Sequence, residues 1–207
     1  MLSLTKILVA SALAMQASAA TIKVAVGKVG LTFDPSTIPA KVGDIVEFTF
    51  YARNHSVVGG DFARPCQPAA TGPAAFFSGF NFFTEANTTN SKVFQYTVTT
   101  TDPIVFYCSQ NTGTHCVKGM AGVINPSGDK ALAPYIAAAS KVTTGAVSPP
   151  GNSFGGAVVN ATTTDTPGST TSPAPSGTPS KNPNGAGSLA APVFGLAAVG
   201  IAALLLV

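Results

Sequence analysis

Residues 105–126, VFYCSQNTGTHCVKGMAGVINP, decide how the rest of the chain is read. They gather Cys108 and Cys116, two of three cysteines, with His115, one of two histidines, and Met120, one of three methionines. The nearly apolar run at 103–107 just before them reads as a buried central strand. A thiolate, an imidazole and a thioether held together match a mononuclear copper site, where two His and one Cys lie in a plane and Met binds weakly along the axis. The second imidazole must then be His55, so the candidate ligands for one copper ion are His55, Cys108, His115 and Met120.

Working outward, short alternating runs separated by Gly, Pro and Asp recur from Ala20 onward. Ile22, Val24 and Val26 alternate with Lys23, Ala25 and Gly27, and residues 31–33 make a second short run. Val46, Phe48 and Phe50 point one way while Ile45, Glu47 and Thr49 point the other, as in a half-buried strand. Phe94, Tyr96 and Val98 oppose Val93, Gln95 and Thr97, and residues 121–124 read as a last strand. No part of this span shows a sustained helical period. The pattern predicts an all-β sandwich or barrel of seven or eight strands over residues 20–126. The aromatic run FFSGFNFF at 76–83 is expected to close one end of it.

In such a sandwich His55 follows a strand by a short turn, Cys108 ends the central strand, and His115 and Met120 sit on the loop to the last strand. If the backbone is extended at 115–116, His115 faces the metal and Cys116 turns away to meet Cys66. A bridge between Cys108 and Cys116 is the alternative, and leaves Cys66 odd. Each residue taken singly has a plainer reading: His55 as a surface histidine, Met120 as core. Their conjunction at strand ends is what favours a metal site.

The ends of the chain read differently. Residues 1–19, with Lys6, an apolar run and Ala17, Ser18, Ala19, have the form of a secretory signal. Residues 127–141 hold enough apolar side chains for a short helix, and residues 142–188 read as a disordered, O-glycosylated stalk rich in Ser, Thr and Pro. The uncharged apolar run at 189–207, preceded by small residues, fits a removable glycolipid-anchor signal better than a membrane-spanning helix. Attachment is expected at Asn184, with Ser176 giving the longer spacer. Sequons place N-glycans at Asn87 and Asn160; Asn54 also matches, but a glycan there crowds His55.

The order NHS (54–56), an isolated Cys66, FYCSQ (106–110) and THCVKGM (114–120) resembles the cupredoxins. Among them it is most similar to plant phytocyanins and to fungal GPI-anchored, serine-rich surface proteins. The stretch PSTIPAKVGDIVEFTF, residues 35–50, resembles the cupredoxin strand leading to the first His ligand. The resemblance implies a cupredoxin-like Greek-key β-sandwich, copper at His55, Cys108, His115 and Met120, and a disulfide between Cys66 and Cys116. One departure is the six-residue spacing, 109–114, between Cys108 and His115, longer than in the usual phytocyanin loop.

It further implies a monomeric, non-enzymatic one-electron carrier on the outer cell surface, serving a redox partner and tethered to the membrane by a glycolipid. Copper storage or delivery, or a purely structural glycoprotein, is the second reading. Two histidines are too few for a multicopper oxidase, and no GxSxG or HExxH setting supports hydrolysis. Removing Lys6 with the signal leaves ten basic against eight acidic residues, with no basic patch interleaved with aromatics, so nucleic acid is not an expected partner.

Overall fold

A computed structural model describes residues 18–110 and 113–162. The expected anchor residue Asn184, the run at 189–207 and nearly all of the leader lie outside the described residues.

The strands in chain order are β1 (Thr21–Val26), β2 (Phe33–Asp34), β3 (Thr37–Ile38), β4 (Ile45–Arg53), β5 (Val58–Asp61), β6 (Arg64–Pro68), β7 (Thr84–Thr97), β8 (Ile104–Tyr107), β9 (Ala121–Ile124) and β10 (Ala157–Asn160). Two short helices, α1 (Thr114–Val117) and α2 (Leu132–Ala139), flank β9. One sheet has the order β10-β7-β4-β1-β2 and the other β3-β9-β8-β5-β6. The architecture is the expected all-β, cupredoxin-like sandwich. The strands without a counterpart in the sequence reading are β3, β5, β6 and the C-terminal β10.

Alternation along β4 explains the inter-sheet core, because Val46, Phe48 and Phe50 are all fully buried on one face. They meet Val24 and Val26 of β1, Phe94 and Tyr96 of β7, and Ile104 and Phe106 of β8. Phe106 packs edge-on against Phe33 and Phe48, with ring centroids 4.9 and 5.2 Å apart. β8 reads as continuously apolar because both its faces are covered. Val105 and Tyr107 look outward into a second cluster with Cys66, Cys116, Val123 and Tyr135 of α2. The same alternation carried one residue past β8 puts Cys108 on the inter-sheet side, in the cluster that also holds Met120.

Of the aromatic run, Phe76, Phe77 and Phe82 are buried, while Phe80 and Phe83 remain exposed. Phe82 stacks on Phe50 at 3.9 Å between centroids, closing that end of the core.

Two expectations need correction. Residues 114–117 form one helical turn, so His115 and Cys116 diverge by helical rotation, not by strand alternation. Residues 142–162 are not part of a disordered stalk: they cross the sandwich and end in β10, which pairs antiparallel with β7 from Ala157↔Gln95 to Asn160↔Lys92. Their scarcity of large apolar residues reflects close approach. A Cβ on Gly155 would lie 2.4 Å from the Ala75 carbonyl oxygen, and one on Gly156 2.5 Å from that of Gln95. Glycines that imitate a flexible linker in sequence here let backbone lie against backbone.

Candidate metal centre

Three segments deliver the candidate ligands to one end of the sandwich. His55 follows β4, and its ring rests against Gly27 at the end of β1, where a Cβ would lie 2.1 Å from Nε2. That nitrogen faces the Ala52 carbonyl at 3.4 Å. With the proton on Nε2, the Nδ1 lone pair is left for the site, the usual arrangement for an oriented imidazole ligand. Cys108 is held by its own N–H, which donates to the Met120 carbonyl at 3.1 Å. The Met120 N–H donates in turn to the His115 carbonyl at 3.0 Å, so the backbone of Met120 ties Cys108 to His115.

The Cys108 Sγ lies 3.4 Å from His115 Nδ1 and 3.9 Å from His55 Nδ1. All three ligand atoms fall within 4.8 Å of one another. A metal about 2.3 Å from sulfur and about 2.0 Å from nitrogen, with trigonal angles, needs an S···N edge of about 3.7 Å. The two observed S···N edges straddle that value, so the chemistry and spacing of the donors fit a metal. Met120 is fully buried beside Cys108 in the core cluster.

The electrostatics also fit a cation. Burial pushes the Cys108 thiol up, opposed by the N–H groups of Gln110 and Ser56 and by the Ser56 hydroxyl. Ser56 N–H donates to the sulfur at 3.3 Å. A buried thiol surrounded by donors stays protonated alone and ionises when a cation displaces its proton. His55 is held down to about 4, first by burial, then by His115, with the Ala52 carbonyl pulling the other way. His115 is lowered by burial and by Lys118. Both imidazoles are therefore neutral and available as ligands at neutral pH.

His55 is only 4% exposed and Cys108 fully buried, while His115 is half-buried. An open groove of about 1260 Å³ runs past both rings, with Lys28, Tyr51, Arg53 and Gln110 among its walls. Exposed Asn87 stands on its rim. Asn160 is exposed on β10.

Away from the ligands, Cys66 and Cys116 are joined at 2.07 Å between sulfurs, leaving Cys108 as the free thiol. Three residues that pack or hydrogen-bond around the ligands carry no sequence signal as such: Gly27, Ser109 and Ser148. Ser109 is buried against Ser56, its hydroxyl 3.0 Å away, and Ser148 reaches it from 39 residues further along the chain.

The chain thus combines a two-sheet sandwich with a His–Cys–His cluster at one end of it. In sequence, the chain is 40% identical over 121 residues to "Probable GPI-anchored cupredoxin-1" of Arthroderma benhamiae, covering 58% of this chain and 59% of that protein. It is 38% identical over 133 residues to the same organism's "Extracellular serine-rich protein", covering 62% of this chain and 49% of that one. The chain thus spans between half and three fifths of the length of these relatives. Among solved structures, a mutant fern plastocyanin covers 49% of this chain and is itself covered at 96%, with 24% identity and a TM-score of 0.33. No protein-family model matches the chain.

Proposed function

We propose that the chain is a cell-surface copper protein that holds one copper ion through His55, Cys108, His115 and Met120 and exchanges single electrons with a partner. The observation that carries this reading is the convergence of a ring nitrogen of His55, the Cys108 Sγ and a ring nitrogen of His115 within 4.8 Å, from segments fixed by the β scaffold. Copper held by thiolate and imidazole would supply one-electron chemistry, because such a donor set accommodates both valences in nearly one geometry. The protein's part is to keep that geometry. Gly27 and Ala52 hold the His55 ring, Met120 spaces Cys108 from His115, and the bridge between Cys66 and Cys116 fixes the residue next to His115. Cys108 is sealed in the core, and half-buried His115 is the ligand nearest an incoming partner.

The names of the relatives support placing the chain outside the cell on a glycolipid anchor, and the sequence pattern alone suggests Asn184 as attachment residue and Asn87 and Asn160 as glycan carriers. Adding Cu(II) to the purified protein should produce an intense visible thiolate-to-copper band, absent from Cys108→Ser. Storage or delivery of copper predicts a site that loads but shows no reversible one-electron couple. A protein that binds no copper refutes both.

A further inference from the structure

Residues 146–148 lie outside the candidate ligand set, in the segment that crosses the sandwich toward β10. Their anchors all flank candidate ligands. The Ala146 N–H donates to the Gly113 carbonyl at 3.0 Å, two residues before His115. A Cβ on Gly113 would lie 2.1 Å from the Ala146 nitrogen, so the two backbones are in direct apposition. The Val147 N–H donates to the Cys66 carbonyl at 2.9 Å, and the Val147 carbonyl accepts from the Tyr107 hydroxyl. Ser148 Oγ donates to Ser109 Oγ at 2.8 Å. Tyr107 and Ser109 are the two chain neighbours of Cys108, and Cys66 is bonded to the neighbour of His115.

The hydroxyls form a contiguous chain that reaches the sulfur, and one assignment of its hydrogens satisfies every oxygen. A serine hydroxyl has one hydrogen and two lone pairs. Ser109 receives the Ser148 hydrogen and lies 3.0 Å from Ser56 Oγ, which also accepts the Ser109 N–H at 3.1 Å. With its lone pairs taken by the Ser109 hydroxyl and N–H, Ser56 has its own hydrogen left for the Cys108 sulfur, 3.8 Å away. That assignment runs Ser148 to Ser109 to Ser56 to sulfur, each hydroxyl polarising the next.

We infer that residues 146–148 form a strap that belongs to the metal centre, and that Ser148 is a positioning residue that orders the hydrogen bonds donated to the Cys108 sulfur. The inference rests on the copper reading for its functional meaning, but its geometry concerns the chain alone. Without Ser148 the Ser109 oxygen loses its donor, and the Ser109 and Ser56 hydroxyls are free to turn from the sulfur. The thiolate then keeps more of its electron density, which favours the oxidised metal and lowers the reduction potential.

The test compares the full chain with its Ser148→Ala and Ser148→Thr variants and with Ser140→Ala, an exposed control just past the end of α2. Two readouts use metal-free protein: the rate at which Ellman's reagent labels Cys108, and the amide resonances of Ser56 and Ser109. A third, after copper addition, is the energy of the thiolate-to-metal band and the potential. The strap reading expects Ser148→Ala to label several-fold faster, to shift both amides and to lower the potential, with Ser148→Thr near wild type. Equal labelling and unshifted amides in Ser148→Ala overturn it. Loss of copper binding in every protein, wild type included, defeats the copper reading alone, because the metal-free readouts still decide the strap.

Discussion

Removing the bridge between Cys66 and Cys116 by a double change to Ala tests how the scaffold holds the site. The cysteines are 50 residues apart in sequence. In the chain-entropy account, closing a loop of that length restricts the unfolded chain by about 14 cal/mol/K, or about 4 kcal/mol at 25 °C. Cys66 has φ of 61°, a left-handed conformation that costs Ala about as much as Cys, so that strain largely cancels in the comparison. For a domain of roughly 140 residues the entropy of unfolding is about 0.3 kcal/mol/K, and 4 kcal/mol becomes a fall in Tm of about 14 °C. Calorimetry of the two metal-free proteins measures it. Copper affinity should fall as well, because Cys116 fixes the helical turn that carries His115. A fall in Tm of less than about 3 °C would refute the reasoning, since the cross-link would then not constrain the unfolded chain as supposed.

Other outcomes follow from single contacts. Gly27→Ala forces a methyl into the space of the His55 ring at a φ of +76°, and should weaken copper binding by about 10- to 100-fold while far-UV circular dichroism keeps its strand signal. Phe106→Ala empties the centre of the cluster with Phe33 and Phe48 and should cost about 3–5 kcal/mol in urea unfolding. Asp44 accepts from the N–H groups of Lys41 and Ala20, which hold its carboxyl below the ordinary 3.8. The folded state therefore releases that proton more readily than the unfolded chain, and the stability so gained is present above pH 3.8 and lost as pH falls through the folded value. Asp44→Asn should remove this acid-side slope from a plot of Tm against pH; an unchanged slope counts against it.

Much of the sandwich is legible because period-two alternation in β1, β4 and β7, and an apolar run in β8, each have one physical reading once the sheets are known to cover both faces of β8. The candidate ligands are legible for a different reason. His, Cys and Met are scarce here, so their clustering stands out against the composition. Gly27 was hidden because its role is to leave space beside a residue 28 positions away. Residues 142–162 were misread because Gly, Ser and Pro serve a flexible linker and a tightly apposed backbone equally well, and only the Cys66, Gly113 and Gln95 partners distinguish the two. The helical turn at 114–117 was too short for any periodicity to show.

The most direct measurement is X-ray absorption at the copper edge of protein loaded with one equivalent of the metal. A single short sulfur scatterer with two imidazole nitrogens, the sulfur lost in Cys108→Ser, is the predicted result. A shell of nitrogen and oxygen alone, or one the Cys108→Ser change leaves intact, would contradict a metal gripped by His55, Cys108 and His115.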